Sequence, residues 1–249
     1  MTKSPLVSII TVVYNGEKYI EQTINSVYNQ TYNNIEYIII DGKSTDNTIN
    51  IIKENEHKIT DWISEEDDGL YDAMNKGVKR AKGELIGIIN SDDWYELDAV
   101  ETVVEHYLKH SAINLFHADR FDVYPDGSRK IYPFNKSVLK FKYLSMTYNH
   151  PSMFITKREY ERHIYNTNLK VYSDFQFVLE AFLRDPSKIL YINKPIVNFR
   201  LGGVSGQIPL IENLKEGFTA RKNAGMNIVD SSLFVIFKLA LELYKKIFK

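Results

Sequence analysis

The stretch GELIGIINSDDWYE, residues 83–96, decides how the rest of the chain is read. Leu85 to Ile89 is a short unbroken apolar run of the kind that fills a strand covered on both faces. It stops abruptly at Asn90 and Ser91 and delivers two adjacent carboxylates, Asp92 and Asp93, followed by Trp94 and Tyr95. Adjacent anions repel each other and add nothing to a fold. Either they form a polar turn or helix start, where Asp is common, or a cation lies against them. Mg²⁺ and Mn²⁺ take oxygen ligands, usually one or two carboxylates completed by water and substrate phosphates. A carboxylate pair at the mouth of a parallel sheet meets that need.

Upstream, strand-like and helix-like segments alternate. Leu6 to Val13 is β-branched and bounded by Pro5 and Asn15-Gly16, and Tyr19, Ile20, Thr23, Ile24, Val27 and Tyr28 then recur at helical spacing. Ile35 to Ile40 is a second apolar run ending at Asp41-Gly42, after which Ser44, Thr45 and Asp46 are N-cap residues for a short helix around Ile49 to Ile52. Ile59 to Ile63 reads as a third strand. Leu70, Tyr71, Met74, Gly77, Val78 and Ala81 trace a helix face with Gly83 as its C-terminal cap, and Glu84 to Asn90 is the fourth strand. This alternation indicates the α/β class, a parallel sheet covered on both faces. Ligands of such sheets bind beyond the carboxyl ends of the strands. Asn15, Asp41 and the Asp92-Asp93 pair all lie just past strand ends, so they converge on one edge.

Downstream the pattern is less regular. A helix from Leu97 to about Lys109 precedes a strand near Asn114 to His117, and VYPDGSRKIY (123–132) places Pro-Asp-Gly between alternating segments, a hairpin signal. VYSDFQFVLEAFLRDP (171–186) reads as a helix starting near Ser173-Asp174, with Phe175, Val178, Leu179 and Phe182 on one face and Pro186 ending it.

Composition narrows the function classes. A chain of 249 residues, 44% hydrophobic, can bury a full core. Its formal net charge of -1 lacks the basic excess of a nucleic-acid binder. With no cysteine, disulfides and thiolate metal sites are excluded, which is compatible with a reducing cytoplasm. The N-terminal MTKSPLVSIITVVYNG carries Ser8 and Thr11 inside its apolar run and no small-residue cleavage site, so it reads as a first strand and not as a signal peptide.

VSIITVVYNGEKYIEQTINSVYNQTYNNIEYIIIDGKSTDNT (7–48) and DGLYDAMNKGVKRAKGELIGIINSDDWY (68–95) together resemble the nucleotide-sugar domain of family 2 inverting glycosyltransferases. NHPSMF (149–154), SDFQF (173–177) and FRLGGVS (199–205) look more loosely like the acceptor-half landmarks of that family's bacterial surface-polysaccharide branch. The resemblance implies a GT-A fold: a Rossmann-like, mostly parallel sheet flanked by helices, with a smaller antiparallel element and C-terminal helices. It divides the chain into a donor-binding half (1–98), an acceptor-binding half (99–206) and a helical extension (207–249).

Carried over position by position, the resemblance assigns Thr11, Tyr14 and Asp41 to the base of the donor nucleotide. Asp92 falls near the ribose and metal. Asp93 is the ligand of Mn²⁺ or Mg²⁺ in a DXD-like motif. Asp68, Asn75 and Lys76 fall in the helix-opening motif around the donor, where surface solvation is the alternative. Asp174 is the candidate catalytic base; the family often has Glu-Asp there, whereas Ser173 precedes it here, and a helix N-cap is the alternative role. Arg200, with Gly202, Gly203 and Ser205, matches a loop over the donor phosphates. His150 faces the acceptor or diphosphate, or is structural. The implied reaction is inverting transfer of a hexosyl or N-acetylhexosaminyl group, most simply from a UDP-sugar, to a saccharide or lipid-linked saccharide. Two rivals stand beside it. A sugar nucleotidyltransferase would show a Gly-rich phosphate loop after the first strand, which VVYNGEKY lacks. A non-catalytic sugar-nucleotide-binding or scaffold protein is opposed by intact Asp92, Asp93 and Asp174.

The tail SSLFVIFKLALELYKKIFK (231–249) sets Lys238, Glu242, Lys245 and Lys249 in a narrow stripe opposite a wide apolar face. It is too short and too charged to span a bilayer. Contact with a membrane surface, with a second copy of the chain or with its own domain all fit, and the expected location is cytoplasmic or peripheral on the inner face of the cell membrane.

Overall fold

The computed structural model describes residues 4–202 and 208–248. As far as Asn90 the chain alternates strictly: β1 (Val7–Val13), α1 (Ile20–Tyr28), β2 (Ile35–Asp41), α2 (Thr48–Glu54), β3 (Asp61–Ser64), α3 (Leu70–Arg80) and β4 (Leu85–Asn90). These four strands are parallel, in the order β3-β2-β1-β4. Alternate residues enter two different cores. Ile10, Val12, Ile38, Ile40 and Ile88 join Tyr71, Met74 and Val78 of α3, whereas Ile9, Ile39, Leu85 and Ile89 join Ile20, Ile24 and Val27 of α1. Each such isoleucine contributes about 1.5–3 kcal/mol by leaving water, which explains why the runs are apolar throughout and not alternating.

Three local readings are corrected. The third strand starts at Asp61, which pairs with Ile38, because Glu56–Lys58 form a 3-10 turn that uses up the residues before Ile59. The helix α3 ends at Arg80, so Gly83 is not its cap. A side chain at Gly83 would lie 2.5 Å from the Ser8 backbone nitrogen, and its N–H donates to Ser8 Oγ at 2.8 Å, so close approach to β1 demands the glycine. At α2 the N-cap position is Asn47, whose side chain accepts from Asn50 and makes no capping bond; Asp46 instead accepts from the Thr48 N–H, while Ser44 is drawn off to Asp41.

The second half extends the same sheet. It comprises β5 (Trp94–Tyr95), α4 (Ala99–Lys109), β6 (Leu115–Val123), β7 (Arg129–Tyr132), α5 (Val138–Tyr143), β8 (Phe154–Thr156), α6 (Lys157–Tyr160), α7 (Ser173–Arg184), β9 (Ile189–Arg200), α8 (Leu210–Asn223) and α9 (Ile228–Phe248). Antiparallel β8 joins β4 to β6, and β9 and β5 complete the order β3-β2-β1-β4-β8-β6-β9-β5, with β7 beside β6. The fold is thus mixed α/β with antiparallel pairs in the second half, the class expected from the sequence. The Pro-Asp-Gly turn closes the β6–β7 hairpin, Val123 opposite Arg129, with Gly127 at φ 82°. The strand β6 runs on to Val123, well past His117, because its far end pairs with β9. Pro195 of β9 sits where that pairing shifts register, a position that tolerates a residue without an N–H.

A close crossing fastens the last two helices. A side chain at Gly217 of α8 would lie 2.3 Å from the Phe234 ring of α9. Arg221 is fully buried, its guanidinium 3.7 Å from the Phe234 ring centre and 4.3 Å from that of Phe175, and it donates to the carbonyls of Lys142 and Gly217. Burial lowers its pKa to about 9. No helix among the described residues is long and apolar enough to cross a membrane.

Candidate active site

The carboxyl edge of β1 and β2 is built by two sharp reversals. Asn15 (φ 52°) and Lys43 (φ 63°) both adopt the left-handed conformation just beyond the strand ends. The two loops can then lace together. The Asn15 N–H donates to Ser44 Oγ, the Thr45 N–H to Asn15 Oδ1 and the Gly16 N–H to Thr48 Oγ1, each at 2.8 Å. Within this frame Thr11 is fully buried, its hydroxyl 3.0 Å from that of Tyr37. Asp41 is also fully buried. Its carboxylate accepts from the Ser44 N–H at 3.0 Å, the Ser44 hydroxyl at 2.5 Å and the Ser64 hydroxyl at 2.6 Å, joining the loops after β2 and β3.

Of the three residues assigned to the base, only Tyr14 offers an open surface, at 65% exposure. Beside its ring lies Gly42, and beyond that the carboxylate of Asp67: a Cβ on Gly42 would be 3.6 Å from Tyr14 and 2.9 Å from Asp67 Oδ2. A glycine floor between an aromatic face and a carboxylate suits a flat heterocycle with an N–H to donate. Asp67 was not singled out in the sequence. The tandem Asp67-Asp68 before Gly69 was the available signal, and it is Asp67 that lies beside Gly42. Burial raises the Asp67 pKa, and Lys76 holds it at 2.6 Å against that push. Asp68 is exposed, its N–H donating to Asp72. Lys76 is committed to Glu65, Asp67 and Asp72 at 2.6 to 3.3 Å; burial works against its charge, and these carboxylates still raise its pKa. Both ends of the Asn75 amide are bonded to the Tyr165 backbone (2.8 and 2.9 Å), and the residue has little exposure.

The acid turn after β4 is held from three sides. Thr23 of α1 donates its hydroxyl to the carbonyls of Ser91 (2.9 Å) and Asp93 (2.7 Å). Gly16 packs so closely that a side chain there would meet Ser91 Oγ at 3.1 Å. From β9, the Arg200 N–H donates to Asp93 Oδ1 at 2.9 Å and its Nε to the Asp92 carbonyl at 3.2 Å. The Arg200 guanidinium lies 3.9 Å from the Tyr19 ring centre and 5.0 Å from that of Trp94. It therefore faces rings and not the two carboxylates. Asp93 is 1% exposed, and burial, reinforced by the charge of Asp92, pushes its pKa up to about 8. Burial raises the Asp92 pKa as well. Two adjacent acids whose pKa values stay raised against the opposing charges of Arg200 and Arg120 are the arrangement that a dication relieves. Of the glycine-rich loop after Arg200, Gly202 has φ 114°, and Gly203 and Ser205 lie outside the described residues.

Asp174 occupies the first turn of α7 and meets the first turn of α3. Its Oδ1 accepts from the Tyr71 hydroxyl at 3.0 Å and from the Phe175 N–H at 2.7 Å; among the described residues Oδ2 accepts no bond. Tyr71 follows Asp67 and Gly69 by a few residues, so Asp174 stands at the same strand-end edge as the acidic loop. Behind it Tyr71 stacks on Tyr165 (5.7 Å), whose hydroxyl is 3.2 Å from His150 Nε2 and 3.0 Å from Tyr160. Burial lowers the His150 pKa, opposed by the charge of Asp174. His150 thus supports the Asp174 surroundings from beneath.

The geometry can be set beside known proteins. Residues 8–165 match the model of glycosyl transferase family 2. Chondroitin synthase of Pasteurella multocida is 29% identical over 228 residues, 90% of this chain and 23% of that protein. An uncharacterized glycosyltransferase of Haemophilus influenzae is 30% identical over 207 residues, 81% of each chain. The chain therefore spans about a quarter of the length of the synthases it matches and most of the shorter relative. Among solved structures, S. aureus TarS 1-349 in complex with UDP-GlcNAc superposes with a TM-score of 0.73 at 17% identity, covering 93% of this chain and 71% of that one. Mannosyltransferase PcManGT from Pyrobaculum calidifontis, in complex with GDP-Man and Mn²⁺, gives 0.67 at 16% identity, covering 94% and 70%. At these identities the structures establish the GT-A fold. The match to the family's sequence pattern, running through the acid turn and most of the chain, establishes the rest: this chain belongs to glycosyl transferase family 2.

Proposed function

We propose that this glycosyltransferase inverts the anomeric centre of a nucleoside diphosphate sugar, UDP-linked, and delivers the sugar to a saccharide or lipid-linked saccharide in surface polysaccharide assembly. The observation that carries the reading is the hydrogen bond from Tyr71 to Asp174. It brings a carboxylate from the second half of the chain to the strand-end edge where the acid turn and the Tyr14–Gly42–Asp67 slot lie. The slot takes the base. Asp93, with Asp92 beside it, would hold Mn²⁺ or Mg²⁺. Such an ion would offset negative charge on the departing diphosphate. Arg200 fixes the acid turn against β9. Asp174, with Oδ1 held by Tyr71, turns Oδ2 toward the acceptor hydroxyl and takes its proton as the oxygen attacks from the face opposite the leaving group. The polysaccharide synthases among the relatives and the sugar nucleotide held by TarS support donor and pathway.

Thermal unfolding against UDP, GDP, CMP and dTDP, each with and without Mn²⁺, tests the reading. A ligand at about a hundred times its Kd adds about 2.7 kcal/mol, on the order of 5 to 10 °C for a chain of this size. A UDP shift that needs Mn²⁺ and vanishes in Asp93→Asn is expected. No shift with any nucleotide would leave a scaffold role as the better account.

A further inference from the structure

The last helix leaves the domain with its apolar side outward. By helical spacing, Ile236, Leu243 and Ile247 share one face, and Lys238, Glu242 and Lys245 the opposite one. In a helix that merely docks on its own domain the apolar face is the covered one. Here the order is reversed. Ile236, Leu243 and Ile247 are 57%, 60% and 63% exposed, whereas the side chains of Lys238 and Glu242 are only 21% and 32% exposed. Leu239 and Leu241 widen the open face. Lys238 and Glu242 thus lie on the less exposed side of the helix, Lys245, paired with Glu242 at 2.8 Å, is 47% exposed, and the apolar arc is directed at something else.

Charge identifies that something. From residue 231 onward there are four lysines and one glutamate. Lys245 borders the apolar face beside Leu241, and Lys246 borders it on the other side beside Leu239 and Leu243. Two copies packed face to face would bring these basic borders together, and like charges there oppose association. An anionic lipid surface takes the apolar arc among its acyl chains and sets headgroups against both borders.

We propose that residues 236–248 of α9 form a docking face that lies in the plane of an anionic lipid surface. The root of the helix orients the enzyme. Phe234 meets the Tyr172 ring at 6.1 Å, two residues before Asp174, and Tyr143 bridges to Asp230 at 3.0 Å and to the Phe237 ring at 6.3 Å. Docking through α9 thus presents the Asp174 side of the cleft to the lipid. Only this last statement rests on the catalytic reading above; the docking face itself does not.

The test is sedimentation of the whole chain with phosphatidylcholine vesicles, with and without phosphatidylglycerol, at low and high salt. Ile236→Glu/Ile247→Glu and Lys245→Glu/Lys246→Glu are compared with wild type. All four positions are exposed, and unfolding curves confirm that the variants fold. Binding is expected with phosphatidylglycerol, weakened by salt, and lowered about tenfold or more by either pair. Equal binding to both vesicle types, unaltered by Lys245→Glu/Lys246→Glu, would overturn the anionic-surface assignment. Absence of binding would overturn the lipid proposal altogether. If self-association removed by Ile236→Glu/Ile247→Glu accompanied that absence, a second copy would be the occupant. Sugar-nucleotide binding, read by the thermal shift, is unaffected in every case, so failure here and failure of the catalytic reading are told apart.

Discussion

Asp174→Asn separates proton transfer from every structural duty of that residue. The asparagine Oδ1 can accept the same two bonds, from the Tyr71 hydroxyl and the Phe175 N–H, so the start of α7 keeps its partners. The capacity to take a proton from the acceptor is lost. A general base accelerates such a step about 10²- to 10⁴-fold, a barrier of about 2.7–5.5 kcal/mol. With the donor bound by the other half of the chain, as proposed, the nucleotide-induced thermal shift stays at its wild-type value while kcat for transfer collapses. Tyr71→Phe is the graded companion. It keeps the ring stacked on Tyr165 and removes one hydrogen bond to a carboxylate, worth about 1.5–3 kcal/mol, so its ceiling is about a 100-fold loss. Because Tyr71 acts through Asp174, the double variant should be no slower than Asp174→Asn alone. The assay is release of nucleoside diphosphate in the presence of an acceptor, with unfolding temperature as the control. Asp174→Asn retaining more than about a third of wild-type kcat, with unfolding and donor binding intact, would refute the base assignment.

Three further outcomes are expected. Asp93→Asn without metal should match or exceed wild type in stability, by about 1 kcal/mol or more in urea unfolding, since the amide still accepts from Arg200 and repulsion by Asp92 disappears. His117, buried against Phe134, Tyr148 and Tyr191 with Nδ1 unpartnered, has its pKa lowered by burial from 6.5 to about 3. Between those values the unfolded chain binds a proton that the folded chain does not, so stability is full above about pH 6.5 and falls as pH drops, by about 2 kcal/mol at about pH 5. His117→Leu should lose that share of the slope in urea titrations at several pH values. Gly217→Ala drives a methyl into the Phe234 ring and should cost about 1–3 kcal/mol in thermal unfolding, with the nucleotide shift retained.

The first half of the fold was readable where a strand is buried on both faces and its loop carries its own punctuation; β3, not fully buried, starts two residues later than its apolar run places it. Val7–Val13, Ile35–Asp41 and Leu85–Asn90 fall within a residue of where the apolar runs place them. β9 was not readable. Its Asn193, Lys194 and Pro195 break the apolar run, and what makes it a strand is its long ladder with β6, a partner set by tertiary pairing. The same split holds at the site. The acid turn shows as a local irregularity in the sequence, and the structure finds Asp93 buried there with its pKa raised. Which member of Asp67-Asp68 faces Gly42, and that Asn75 serves the Tyr165 backbone, depend on contacts across many residues of chain and leave no local pattern.

The stitching of the loops after β1 and β2 has a bearing on how such enzymes can be recombined. Asn15, Gly16, Ser44, Thr45 and Thr48 bond to one another, so the slot proposed for the nucleotide is self-supporting. Among the described residues, the bonds from this half to the remainder at the site include those of Asp93, Asp92 and Gln22 to Arg200, of Tyr71 to Asp174 and of Asn75 to Tyr165. A chimera that grafts a foreign acceptor region beyond residue 98 should keep its donor preference if those bonds are matched. One that ignores them would join two sound halves with the reacting groups out of line.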